Sequence, residues 1–134
     1  MALDPMVEAY LRDVETDLDA ARRLARPKVN RMAAFHLQQA AEKLVKAVRL
    51  SRRLPATVDH DIATLVNGLP DDDPLRDALE PLDDLTPYAT AFRYPSMRGQ
   101  LPVAPSAEEI ETQADALARL AIDVRAALAG TTKR

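Results

Sequence analysis

The side chains best equipped for chemistry are concentrated in one short stretch, residues 35–47, reading FHLQQAAEKLVKA. Gln39, Glu42, Lys43 and Lys46 stand at spacings of three, four and seven, so a helix there carries a polar row with two ammonium groups beside an apolar stripe. Such a row can meet phosphate, and it can equally be a solvated helix face with Glu42 and Lys46 paired one turn apart. His36 opens the stretch and a second imidazole, His60, follows with Asp61 beside it; these are the two His of the chain. Either imidazole could move a proton near neutral pH. The bland alternatives are that His36 packs or bonds at a helix start, and that His60 caps a short helix or tethers it to the preceding long one. Further along, Arg93 offers a permanently charged fork suited to phosphate, and Tyr94 offers a ring on which a base could stack. Both could instead anchor a loop.

Composition limits what these groups can do. The chain has 134 residues and no Cys, which removes disulfides, thiolate metal sites and a Cys nucleophile. With two His and no Cys, a closed zinc site is not expected, and no cofactor fingerprint or phosphate loop is present. A net charge of −3 argues against general nucleic-acid coating, although a local basic face could still meet phosphate. Neither a leader-like start nor an uninterrupted apolar span stands out, so the expectation is a soluble, cytoplasmic protein without a membrane segment.

Three Gly, no Trp and abundant Ala and Leu favour helices over sheet. Val7, Leu11, Val14, Leu18, Ala21 and Ala25 form one helical stripe, with Asp4 as cap and Pro5 at the first position. Pro27 ends that helix. A second helix is predicted from about Asn30 to about Arg53, a short third over 59–67 closed by a left-handed Gly68, and a fourth opening at Asp73-Pro74 and holding phase to Phe92 through kinks at Pro81 and Pro87. Ser106 and Glu109 form a capping box for the last helix, which Gly130 should stop. The fold class that follows is all-α: an up-and-down bundle of four long helices and a short one. It forms a single domain over 1–134, with a surface loop over 94–105 and a frayed tail over 130–134.

Three motifs in this order resemble a known family, the HEPN domains (higher eukaryotes and prokaryotes nucleotide-binding): FHLQQAAEKLVKA, then His60-Asp61, then ATAFRYP at the end of the fourth helix. The resemblance covers most of the chain. It implies a helical bundle that commonly forms homodimers, frequent coupling to a minimal nucleotidyltransferase in two-gene modules of the toxin–antitoxin kind, and, in many members, metal-independent RNase activity. That activity uses an Arg and a His separated by four to six residues near a dimer interface. Here Arg93 occupies the Arg position, but YPSMRGQLP follows it without an imidazole. Two other pairs, Arg31 with His36 and Arg53 with His60, satisfy the bare spacing.

The leading expectation is therefore a non-catalytic or weakly catalytic half of such a module, binding nucleotide, RNA phosphate or the partner enzyme. Gln39, Lys43, Lys46, His60, Arg93 and Tyr94 are the ligand-binding candidates, with Arg98 as a further donor. The rival is an endoribonuclease that joins Arg93 to His36 or His60 across a dimer interface. A dimeric interaction scaffold is the third reading.

Overall fold

A computed structural model describes residues 3–89, 97–100 and 103–131. Asp4 caps the first helix, α1 (Pro5–Leu24), by accepting from the Met6 N–H at 2.8 Å, with Pro5 at the first helical position where no N–H is needed. Its stripe of Val7, Leu11, Val14, Leu18 and Ala21 is buried. A five-residue connection leads to α2 (Asn30–Ser51), the central element, whose buried face is dominated by Ala33, Ala34, Leu37, Ala40, Ala41, Leu44 and Val48. The many Ala let neighbouring helices approach this face closely.

The last long helix, α5 (Ala107–Thr131), begins at the expected capping box, where Ser106 Oγ accepts from the Glu109 N–H at 3.1 Å. It runs antiparallel to α1, since Arg22 reaches Glu111 and Asp115 near one end while Arg125 reaches Glu8 near the other. Helix α5 continues through Gly130 instead of stopping there.

Between α2 and α5 the chain departs from the sequence expectation. Helix α3 (Ile62–Asn67) forms on an Asp61 cap, but Gly68 has φ −73°, an ordinary right-handed value. Its lack of a Cβ serves another end, because a methyl group there would collide with the Arg49 guanidinium. The single long helix expected after Asp73 is replaced by a four-residue α4 (Arg76–Leu79) and a 3₁₀ segment, Glu80–Ala89. Pro81 and Pro87 each lack the N–H that an α-helix would use, and a run of tighter i→i+3 turns accommodates them. Leu79, Leu82 and Leu85 still reach the core, so the apolar spacing was read correctly while the backbone geometry was not. The architecture is all-α, with five α-helices packed on one core and no strand among the described residues. None of these helices is long and apolar enough to cross a membrane.

Candidate functional site

The polar row on α2 does not form one open face. Helical phase turns its members toward two different neighbours, and each set gathers around a carboxylate. On the side facing α1, Asp17 accepts from Lys43 Nζ at 2.7 Å and lies 3.0 Å from His36 Nδ1, while Lys43 Nζ also reaches Asp13 at 2.8 Å. On the side facing the connection to α3, Glu42 receives Gln38 Nε2 at 3.0 Å, Lys46 Nζ at 2.9 Å and His60 Nδ1 at 3.0 and 3.1 Å. The tether between His60 and the long second helix is thus a direct bond. Gln39 is half-buried.

Both acids are sheltered: the Glu42 side chain is 7% exposed and that of Asp17 10%. For Glu42, burial raises the carboxyl pKa and is the largest single influence. The bonds from Gln38, Lys46 and His60 together outweigh it and hold the group below the usual carboxylate value. Lys43 is the mirror case, in which burial pulls the ammonium down but Asp13 and Asp17 hold it above its ordinary value. The Glu42–Lys46 pair foreseen from spacing is therefore part of a buried network and more than a solvated surface pair.

Each carboxylate can only accept, so each bonded Nδ1 carries the proton, and a neutral imidazole then presents the lone pair of Nε2. Such a ring can take a proton from a hydroxyl group placed against it. His60 is the better exposed of the two, at 70% against 31% for His36. The two constellations together hold three carboxylates, Asp13, Asp17 and Glu42, against two ammonium groups, Lys43 and Lys46. One buried acceptor, Gln38 Oε1, has no hydrogen-bond partner; its Nε2 is fixed on Glu42, so the amide cannot be turned to relieve it.

Asp13, Asp17 and Gln38 were absent from the sequence-based set. A signal existed for the first two: like charges one turn apart on α1 repel, and they are tolerable when a cation stands opposite, as Lys43 does. Arg93 and Tyr94 lie outside the described residues, so their relation to α2 is not part of this geometry. Arg98 is exposed on the described stretch 97–100. The two pairs that match the Arg–His spacing diverge in use, since His36 and His60 bond Asp17 and Glu42 while Arg53 lines a cleft at the end of the bundle. Among the described residues, no group of three or more His, Asp or Glu could hold a metal ion.

No curated protein and no solved structure matches the chain. A family model describing the HEPN domain matches residues 7–126, nearly the whole span from the first turn of α1 to the last turns of α5. The chain belongs to the HEPN domain family.

Proposed function

We propose that this chain is the non-catalytic or weakly catalytic half of a two-gene module of the toxin–antitoxin kind, working with a minimal nucleotidyltransferase as a homodimer. The observation that carries the proposal is the pairing of the two candidate lysines of α2 with carboxylates. Both of its candidate lysines are already compensated by carboxylates, Lys43 by Asp13 and Asp17 and Lys46 by Glu42, so neither is a spare cation for an RNA backbone. A balanced, hydrogen-bonding surface of this kind suits a nucleotide or a protein partner better than a long polyanion. In this reading Arg93 supplies a cation for a phosphate, Tyr94 a stacking surface, and Gln39, Lys43, Lys46 and His60 further donors. Family membership supports the pairing with a nucleotidyltransferase.

The test is to produce the chain together with any nucleotidyltransferase encoded beside it and to follow complex formation, nucleotide transfer and RNA cleavage in one preparation. A stable complex with little cleavage supports the proposal. Vigorous cleavage by the chain alone, with growth arrest on its expression, removes it. Light scattering tests the homodimer, and a monomeric mass at micromolar concentration would remove that part.

One observation favours the endoribonuclease as a second reading. His60 Nδ1 rests on a buried carboxylate while its ring stays exposed, an arrangement in which Nε2 could serve as a general base if a partner subunit brought Arg93 to it.

A further inference from the structure

Three arginines stand at the C-terminal end of α2, and two of them are occupied internally. Arg49 donates through Nη1 to the Leu65 carbonyl at 3.0 Å and through Nη2 to the Pro55 carbonyl at 3.2 Å. Arg52 clasps Asp73 with a fork at 2.7 and 3.1 Å. Arg53, in contrast, is exposed and its side chain makes no hydrogen bond or ion pair among the described residues. Its backbone is also unusual. The Arg53 N–H bonds the Leu50 carbonyl at 2.9 Å and the Leu54 N–H bonds the Arg49 carbonyl at 3.0 Å, the paired closure that normally places glycine in the left-handed position. Arg53 holds that position with φ +59°, the one non-glycine positive φ among the described residues. A conformation better suited to glycine is occupied here by a charged side chain, and such outliers gather where a side chain has work to do.

Arg53 borders a cleft of about 450 Å³ between the N-terminal end of α1 and the C-terminal ends of α2 and α5. Its lining is half aliphatic, from Leu3, Val7, Leu50 and Leu128, and half polar, from Asp4, Ser51, Arg52 and Arg53. The other polar groups of the lining are engaged: Asp4 caps α1, Ser51 Oγ donates to the Val48 carbonyl at 2.8 Å, and Arg52 holds Asp73. Among the described residues of the lining, Arg53 is thus the one cation whose side chain has no partner. Among the described residues no aromatic ring lines the cleft, so none of them stacks on a nucleobase there. The Asp4 carboxylate on the same rim disfavours a dianion.

We propose that this cleft binds a small aliphatic monoanion, with its carboxylate on Arg53 and its hydrocarbon chain against Leu3, Val7, Leu50 and Leu128. The size lies within the range of ordinary small-molecule sites, and a combination of apolar contacts with a few placed polar groups is the usual basis of their specificity. The site uses none of the residues assigned to the module function, so the two proposals stand or fall separately.

The test uses the full chain with octanoate below its micellar concentration, and with acetate, 1-octanol and inorganic phosphate as comparison probes, by calorimetry and methyl NMR. The expected result is saturable one-to-one binding of octanoate with shifts centred on Val7, Leu50 and Leu128. Acetate, octanol and phosphate should each bind at least about tenfold more weakly. Arg53→Gly should melt at the same temperature as the parent or higher, yet lose octanoate affinity by about tenfold or more. Arg53→Asn, which tolerates the left-handed backbone without the charge, should lose it likewise. Octanoate binding that is absent, that survives both substitutions, or that is matched by phosphate would overturn the proposal.

Discussion

The Asp17 and Glu42 constellations contain the same three kinds of group, a carboxylate, an imidazole and an ammonium, and the protein uses them differently. Asp17 bridges two long helices, and its ammonium partner Lys43 has a second carboxylate, Asp13, within reach. Glu42 bonds two members of its own helix and one residue of the connection before α3, with three donors converging on two oxygens. The first arrangement has a reserve carboxylate for its ammonium; in the second, Gln38 Nε2 also lies 3.5 Å from the His60 carbonyl, but no second carboxylate stands beside Lys46 among the described residues. What decides the worth of a buried ionic group is thus whether its donors can find another acceptor when it is lost.

The largest effect is expected at Glu42. Glu42→Gln turns an N–H₂ group toward donors that need an acceptor, leaving Lys46 partly desolvated without its counter-charge. A loss of about 3 kcal/mol in urea unfolding follows. A loss no larger than that at Asp17 would break the comparison. Asp17→Asn should cost about half as much, roughly 1.5 kcal/mol, because Lys43 retains Asp13 and mainly the His36 bond is weakened.

The same contrast should appear in the acid limb of stability. Glu42 has a folded pKa below its unfolded value of 4.5, so its contribution is fully present above pH 4.5 and disappears as pH falls through the lower folded value. Asp73, held down chiefly by the Arg52 fork, adds to the same limb from its unfolded value of 3.8. Unfolding followed from pH 6 downward should therefore steepen below about pH 4.5 in the parent and flatten in Glu42→Gln. Identical slopes would show that Glu42 is not held as described. Lys43 works in the opposite sense, its contribution being complete below pH 10.5 and lost only as pH rises through its elevated folded value.

The smallest effect belongs to Asp13→Asn. This carboxylate is more than half exposed and Lys43 keeps Asp17, so the change should stay within about 0.5 kcal/mol. A cost near that of Asp17→Asn would mean that the reserve partner is in fact a principal one.

Much of the fold was legible because α1, α2 and α5 announce themselves locally, through the Asp4-Pro5 start, the Ser106–Glu109 box and unbroken helical stripes. The segment after Asp73 was misread because apolar spacing alone does not distinguish a kinked α-helix from a 3₁₀ run, and Pro81 and Pro87 tip the balance toward the latter. On α2 the sequence identified the reactive groups but joined them into one row. Their division into two sets depends on which acids α1 presents and on where the chain before α3 brings His60, both tertiary facts. Gln38, which the spacing argument did not single out, is the fully buried glutamine that touches Glu42.

The central claim, that this HEPN-domain chain recognises a partner or nucleotide more than it cleaves RNA, is tested most directly by a side-by-side assay of metal-independent RNA cleavage and nucleotide or RNA binding. The set comprises the parent chain, Arg93→Ala, His36→Ala and His60→Ala. The account predicts little cleavage by any of the four, and binding weakened most in Arg93→Ala, because the constellations on α2 are already charge-compensated while an Arg fork stays charged at every relevant pH. Strong cleavage by the parent that disappears in His60→Ala or His36→Ala would contradict it and establish the nuclease in its place.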